Sequence, residues 1–232
     1  MKRPPIKRPQ GCRFLLGSLI ALLVAFPFLE DLTHTRPLIL MLLLAGVFVA
    51  GVVAVDAGSL QVRRAFAIAA VQVVATLISL VLPEAGLAYL CAIILTLVAT
   101  AFLILFATHC VLHYVLRARV ITPDQIYAGI CMYLMLGFAF GAIFYLTNTL
   151  DPNSFAVNSG KVAPGDVPDL MYFSFVTLAT LGYGDITPST NIARSLAVLE
   201  ALAGMLYIAV FMARLVSLSS TSQENERSAR DG

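Results

Sequence analysis

Residues 180–185 carry the clearest chemistry in the chain, and they read Thr-Leu-Gly-Tyr-Gly-Asp. Two glycines alternate with larger residues here, so the backbone can alternate between φ values that other residues resist. A strand of this kind can turn successive carbonyl oxygens to the same side. Four copies around one axis would stack those oxygens in rings that replace the water shell of a dehydrated cation. The candidate ion-coordinating residues are Thr180, Leu181, Gly182, Tyr183 and Gly184.

This stretch and its surroundings resemble the pore of tetrameric potassium channels. An aromatic-rich amphiphilic run precedes the strand, and an apolar helix with a central glycine follows it. Over residues 126–218 the chain looks like the pore module of that family, with an outer helix, a turret, a pore helix, a filter and an inner helix. The resemblance implies that K+ binds the hydroxyl and carbonyl of Thr180 and the carbonyls of Leu181, Gly182 and Tyr183. It also implies a homotetramer, because one chain supplies one filter strand.

The resemblance further indicates which side chains support the filter. Tyr172 lies where many relatives carry Trp, and its hydroxyl is predicted to reach Asp185. Its neighbour Phe173 cannot donate the hydrogen bond to Tyr183 that a Trp would donate. Val176 occupies a position where some bacterial relatives place a carboxylate. The predicted supporting residues are Tyr172, Thr177, Asp185 and Glu200.

Glu200 is the only carboxylate well inside an apolar run. A charge at that depth is expensive, so an intramembrane acid is a functional hypothesis by default. Glu200 lies one helical turn outward from Gly204, and Ser174 and Thr177 offer hydroxyls on the predicted pore helix. We hypothesise that Glu200 makes a hydrogen bond to the pore helix from behind and steadies the filter. The alternative is a structural residue that is protonated or hydrogen-bonded.

Gly204 lies midway along the predicted inner helix, where this family often has a hinge. A glycine inside a helix costs about 1 kcal/mol relative to alanine, so it usually has a reason. A hinge and close packing against a neighbouring helix explain it equally well. Ile208 and Met212 fall near one face below Gly204, and they are predicted to line an apolar inner constriction. An apolar helix face that packs against a neighbouring helix would show the same spacing.

The composition excludes an ordinary soluble protein, because 59% of the residues are hydrophobic and the mean hydropathy is +0.90. The shorter run 168–179 cannot cross a bilayer at 1.5 Å per residue and is predicted to be a re-entrant pore helix. The fold class is therefore an all-α membrane protein with six transmembrane helices plus a re-entrant pore helix and a selectivity-filter loop. The six predicted spans are 14–29, 37–55, 65–82, 86–116, 124–146 and 192–218.

The sequence predicts four regions along the chain. Residues 1–13 are a disordered basic cytoplasmic tail, residues 14–119 a four-helix transmembrane domain, residues 120–218 the pore domain with its filter at 180–184, and residues 219–232 a polar cytoplasmic tail. The four-helix domain resembles a voltage-sensor bundle, but its fourth helix has no basic residue before Arg117 and therefore lacks gating charges. A signal peptide is the alternative for the first run, although no small-x-small cleavage site follows it.

The positive charges predict the orientation in the membrane. All 15 Lys and Arg residues except Arg36, Lys161 and Arg194 fall in the two tails or in gaps on one side of the predicted spans. Because cytoplasmic loops carry an excess of Lys and Arg, both termini are predicted to be cytoplasmic, in the inner (plasma) membrane. The filter then lies at the outer mouth.

The activity predicted on these grounds is passive, potassium-selective conduction by a channel that is not gated by voltage in the usual manner. K+ is the only expected ligand, with no organic cofactor, and the lipid bilayer and three further copies are the expected partners, with no nucleic acid. An enzyme is not predicted, since no nucleophile–base pair or phosphate loop occurs. The alternatives are a less selective cation channel, a secondary transporter with a broken helix, and a non-conducting membrane subunit.

Overall fold

The computed structural model describes residues 11–25, 36–55, 58–82, 86–117, 122–157, 160–161 and 167–230. These residues form seven helices and three short strands. The helices are α1 (Gly11–Ala25), α2 (Arg36–Ala54), α3 (Ser59–Val81), α4 (Leu87–Arg117), α5 (Pro123–Leu150), α6 (Val167–Leu178) and α7 (Asn191–Arg230). The strands are β1 (Phe155–Val157), β2 (Gly160–Lys161) and β3 (Ile186–Pro188). The prediction of an all-α membrane protein is confirmed, with one small sheet added to it.

Four helices of the described part are long and apolar enough to cross a membrane: α3, α4, α5 and α7. The helix α1 has 15 residues and so measures about 22 Å, which is less than the hydrocarbon thickness of about 30 Å. The described apolar part of α2 is also short, at Leu43–Ala54. The predicted first span continues to residue 29, outside the described residues. The number of six crossings therefore stays a prediction.

The first four helices pack together, and α1 and α4 also pack against α5 of the same chain. The ring of Phe48 on α2 meets the ring of Phe138 on α5 edge to face, with centroids 6.2 Å apart. Near the start of α1, the backbone carbonyl of Cys12 accepts a hydrogen bond from the thiol of Cys131 on α5, at 3.6 Å. Both α1 and α4 lie against α5, so the four-helix part is joined to α5 through two of its helices.

The start of α5 follows from four consecutive residues. Pro123 occupies the first helical position, where its missing N–H is one that the helix would leave unpaired anyway. The backbone N–H of Thr122 donates to the side-chain oxygen of Gln125 at 3.3 Å, which closes the first turn. Asp124 in that turn places a negative charge at the positive end of the helix dipole.

The connection between α5 and α6 differs from the predicted exposed turret. It contains β1 and β2, which pair antiparallel, and β1 also pairs antiparallel with β3, which follows the filter region. Phe155 is fully buried, and its ring lies 5.5 Å from that of Phe144 and 5.3 Å from that of Phe173. Strands of two or three residues are too short to show alternation in a sequence, which is why this sheet was not predicted.

The two predicted tails also differ from expectation where the structure describes them. Residues 1–10 lie outside the described part, but residues 11–13 begin α1 and are not disordered. At the other end α7 continues through the polar tail to Arg230, whereas the predicted inner helix stopped at 218. The polar residues beyond 218 include good helix formers such as Gln, Glu and Arg, whose intrinsic propensity favours continuing the helix.

Candidate functional site

The pore-helix candidate α6 approaches α5 closely because two glycines on α5 leave room for it. A Cβ on Gly137 would lie 2.6 Å from the ring of Phe175, and one on Gly141 would collide with the sulfur of Met171. Gly137 and Gly141 are four residues apart and so share one helix face. The ring of Phe175 also meets that of Phe138 edge to face at 5.3 Å. This contact fixes α6 against α5 and so fixes where the chain after α6 begins.

The backbone of the predicted filter strand alternates as the glycine spacing predicts. The φ angles of Thr180, Gly182 and Gly184 are +56°, +56° and +76°, and no other described residue has a positive φ. The side chains of Leu181 and Tyr183 are exposed, at 57% and 67%. A positive φ is uncommon for a residue such as Thr180, which has no glycine freedom and is β-branched.

The end of α6 holds the beginning of this strand. The carbonyl of Thr177 accepts the N–H of Thr180, and the carbonyl of Val176 accepts the N–H of Leu181, both at 2.9 Å. Thr177 itself is half-buried, and Val176 is buried. Thr177 therefore contacts the strand through its backbone, whereas the sequence analysis offered its hydroxyl as a partner for Glu200. Its supporting role stays a prediction.

The hydrogen bond between Tyr172 and Asp185 is present. The Tyr172 hydroxyl donates to the Asp185 carboxylate at 2.8 Å, and the other oxygen of that carboxylate accepts the N–H of Ile186 at 3.0 Å. The hydroxyl of Tyr172, and to a smaller extent the N–H of Ile186, hold the pKa of Asp185 below its ordinary value. One side chain thus links α6 to the strand after the filter residues. Whether this link supports a filter stays a prediction.

Phe173 lies beside Tyr172 but points into the protein. It is buried, and its ring lies 5.1 Å from that of Phe144 and 5.3 Å from that of Phe155. An aromatic cluster therefore occupies the place where a Trp of the resembling family would donate a hydrogen bond. The cluster joins α5, β1 and α6 through apolar contact, a means of bracing that needs no donor.

Glu200 on α7 reaches the pore-helix candidate as hypothesised. The side chain is fully buried, and its Oε1 lies 2.5 Å from the hydroxyl of Ser174, which in turn lies 2.7 Å from the carbonyl oxygen of Gly137. A carbonyl only accepts, and a serine hydroxyl has one proton to donate. Ser174 can therefore donate to only one of these two oxygens at a time, and both contacts are hydrogen bonds at once only if the Glu200 carboxyl is protonated and donates its single proton to Ser174. The other carboxyl oxygen, Oε2, has no partner among the described residues.

Gly204 lies against the end of α6. A Cβ on this residue would be 2.8 Å from the carbonyl oxygen of Leu178 and 2.8 Å from its side chain. The same carbonyl accepts a hydrogen bond from the hydroxyl of Tyr133 at 3.1 Å. The helix α7 continues unbroken through Gly204. These contacts support the packing explanation of this glycine, and the hinge stays a prediction.

Ile208 and Met212 lie on α7 with 48% and 53% of their surfaces exposed. Side chains on other faces of the same helix, such as Leu206 at 63% and Val210 at 58%, are exposed as well. Exposure therefore does not single out the predicted pore-lining face from the rest of the helix, and that lining stays a prediction.

The sequence reasoning missed the close approaches of α5. Besides Gly137 and Gly141, Gly129 faces the ring of Phe211 on α7, and its carbonyl accepts the hydroxyl of Tyr207 at 2.6 Å. The signal was available, because Gly-xxx-Gly spacing in an apolar helix is typical of a close helix–helix contact. These glycines position α6 and α7, and so position every candidate residue carried by them.

Comparison with known proteins places this region in a known family. Residues 128–220 match the family described as "Ion channel". The chain is 34% identical over 107 residues to "Two pore potassium channel c" of Oryza sativa subsp. japonica, which covers 43% of this chain and 22% of that protein. It is 49% identical over 47 residues to "Inward rectifier potassium channel Kirbac3.1" of Paramagnetospirillum magnetotacticum, covering 20% and 16%. It is 36% identical over 88 residues to "Protein LctB" of Geobacillus stearothermophilus, covering 36% and 62%.

These similarities extend over part of each protein. The chain spans 22% of the rice channel and 14% and 20% of two further curated potassium channels, from Rhodopseudomonas palustris and Arabidopsis thaliana. The family match begins in α5 and ends in α7, so it includes α6, the strand 180–184 and both of the flanking helices. The resemblance to a potassium-channel pore module that was inferred from the residues is thereby confirmed, and residues 128–220 are similar to the ion-channel family over both flanking helices and the strand between them.

Proposed function

We propose that the protein is a subunit of a potassium-selective channel that conducts K+ passively. The observation that carries this proposal is the alternation of left-handed φ at Thr180, Gly182 and Gly184. Peptide units that alternate in this way turn the intervening carbonyls toward one side, which is the arrangement needed to replace the hydration shell of a cation. The ligands of K+ are the carbonyls of residues 180–183 and the hydroxyl of Thr180.

The surroundings of this strand support an axis shared by several copies. A Cβ built on Gly182 or Gly184 meets nothing within 4 Å, so the described part of the chain leaves the strand open on that side. One strand supplies only one quarter of a ring of oxygens with fourfold symmetry. We therefore propose a homotetramer, in which three further strands close the ring.

The inner-helix candidate α7 supports the same assembly. Only 11% of the apolar stretch of α7 is buried within the chain, compared with 56% of the apolar stretch of α5. Exposed apolar surface of this extent is covered in membranes by lipid and by neighbouring subunits. The protein is a multi-pass membrane protein, and we propose the inner membrane as its location, with both termini in the cytoplasm.

Glu200 is proposed as a positioning residue for the filter. Its hydrogen bond to Ser174 joins α7 to α6, and Ser174 joins α6 to α5 through Gly137. The three helices that surround the filter strand therefore meet at one buried hydroxyl. Since Val176 supplies no polar group at this depth, the brace behind the filter comes from the inner helix instead of the pore helix.

Ion selectivity is the property that tests this function. Purified protein in planar bilayers, with K+ on one side and Na+ on the other, should show single-channel currents whose reversal potential lies far from zero in the direction expected for K+. A reversal potential near zero with measurable conductance would identify the less selective cation channel. Protein that shows no single-channel current, but that lets liposomes take up K+ only when a second ion is transported with it or in exchange for it, would be identified as the transporter.

A further inference from the structure

An apolar groove opens between α1, α2 and α3, at the end where α1 begins and α2 ends. It encloses about 820 Å³, within the range of about 300–1,000 Å³ that ligand pockets occupy. Small residues from all three helices form its walls, and the pore module contributes none of them. Among the lining residues are Gly11, Ser18, Ala45, Gly46, Ala50 and Ala69.

Two phenylalanines flank this groove and face outward. Phe14 on α1 is 74% exposed and Phe66 on α3 is 57% exposed, and both line the groove. Nothing within the described residues covers them. An apolar groove of this volume, open to the side of the bundle, can hold an acyl chain.

Positive charge collects at the same end of the bundle. Arg63 lies one helical turn before Phe66, and Arg64 follows it, while Arg13 is next to Phe14. All three are exposed, and none forms an ion pair with another described residue. The sequence adds four basic residues in the ten that precede α1 and only one acid, Asp56, between α2 and α3. The mouth of the groove therefore attracts an anion.

We propose that this groove is a binding site for an anionic glycerophospholipid of the cytoplasmic leaflet. One acyl chain lies between α1, α2 and α3, and the phosphate pairs with Arg63 at the mouth, within the field of the neighbouring basic residues. Each basic residue near a membrane surface favours anionic lipid by a factor of about five. A second copy of the chain fits the groove less well, because it would bring the same positive charges to the same end.

A larger side chain at Gly46 should fill the groove without disturbing the packing of the helices. A Cβ on Gly46 meets nothing within 4 Å, and this residue lines the groove. Gly17 on α1 is equally exposed and equally unobstructed, but it does not line the groove. Gly46→Phe therefore places a ring where the acyl chain would lie, and Gly17→Phe is the matched control.

The test measures lipid binding to the intact protein by native mass spectrometry, with dioleoyl phosphatidylglycerol and dioleoyl phosphatidylcholine as probes. We expect phosphatidylglycerol to bind at least tenfold more tightly. Gly46→Phe should weaken the binding of phosphatidylglycerol at least tenfold, whereas Gly17→Phe should change this binding less than twofold. Arg63→Gln should weaken the binding of phosphatidylglycerol about fivefold and leave the binding of phosphatidylcholine unchanged.

Three results would overturn the proposal. The first is that the two lipids bind equally well, and the second is that phosphatidylglycerol binds equally well to Gly46→Phe and Gly17→Phe. The third is a change in the number of subunits in Gly46→Phe, because it would show that the groove is a contact between copies of the chain. The binding measurement needs no ion current. A failure here is therefore distinct from a failure of the proposed channel activity.

Discussion

Thr180 holds a backbone conformation that its side chain disfavours. Its φ of +56° is shared with glycines only, and a β-branched residue in that region costs about 1–3 kcal/mol. Hydrogen bonds from the N–H groups of Thr180 and Leu181 to the end of α6 impose the conformation. Strain of this kind persists only where the surroundings over-determine it, and here the strained residue is also the one with a hydroxyl to offer a cation.

Gly182→Ala should abolish selective conduction. The space around Gly182 is open, so an added methyl group meets no neighbour in the chain, and the penalty is the left-handed φ alone, about 1–2 kcal/mol. The strand should relax this strain by rotating a peptide unit, which turns a carbonyl away from the axis. Bi-ionic recordings measure the loss. Gly17→Ala, also in open space but in an ordinary helix, should conduct like the wild type.

The link between Tyr172 and Asp185 predicts a dependence on external acidity. The pKa of Asp185 is lowered in the folded protein, chiefly by the Tyr172 hydroxyl. Its contribution to stability is therefore present above the ordinary value of 3.8 and is lost as the pH falls through the lowered pKa. Tyr172→Phe removes the main cause, so Asp185 should titrate closer to 3.8 in that variant.

An NMR titration of the labelled Asp185 carboxyl measures this shift directly. The variant should also lose open probability at a higher external pH than the wild type does. Tyr114→Phe is a suitable control, because it removes a tyrosine hydroxyl bound to a different carboxylate, that of Asp124, far along the chain from the filter. Identical titration of Asp185 with and without Tyr172 would show that the hydrogen bond does not form.

Glu200 should tolerate glutamine and not alanine. The amide of Glu200→Gln can still donate to Ser174, so that variant should fold and conduct with modest changes. Glu200→Ala removes the donor and leaves a void beside a buried hydroxyl, which should cost about 1–3 kcal/mol and lower the open probability. Infrared spectroscopy adds an independent readout, since the wild type should show the carbonyl band of a protonated carboxylic acid that Glu200→Gln lacks. Unchanged open probability in Glu200→Ala would remove its positioning role.

At the scale of elements, α7 and the end of α6 leave no room for a side chain at Gly204. Gly204→Ala should shift the Leu178 carbonyl, which is backbone and cannot swing away, and so weaken its hydrogen bond from Tyr133. We expect a lower midpoint of thermal unfolding and reduced conductance together. Gly204→Ala with normal conductance and stability would show that the helices adjust, and would restore the hinge as the better explanation.

The elements were predictable to the extent that apolar periodicity and length define them. The predicted spans 86–116 and 124–146 agree with α4 and α5 within a few residues, because long apolar runs in a membrane protein have few alternatives to a helix. The pairing of Tyr172 with Asp185 was predicted from the family resemblance, because Tyr172 lies where many relatives carry Trp. The sheet and the fit of α6 onto Gly137 and Gly141 were not predicted, since both depend on contacts between segments distant in sequence.

The whole molecule should respond weakly to voltage. The helix α4 has no basic residue before Arg117, at its last position, so few charges can move through the field. Each charge moved across the membrane contributes about 2.3 kcal/mol per 100 mV, and steep gating needs several per subunit. Open probability should therefore change little between about −100 and +100 mV. A steep curve in single-channel recordings would overturn this reading of the four-helix part.

The sheet has a consequence for how the molecule can be altered. The strand β1 lies before the pore-helix candidate and β3 lies after the filter strand, yet Phe155 stands opposite Pro188 and Val157 opposite Ile186. The pairing of β1 with β3 therefore brings the two ends of segment 155–188 together. Because these ends are neighbours, a segment exchanged between 155 and 188 would need only two adjacent junctions. Its helix would have to fit Gly137 and Gly141 on α5 and also Glu200 and Gly204 on α7.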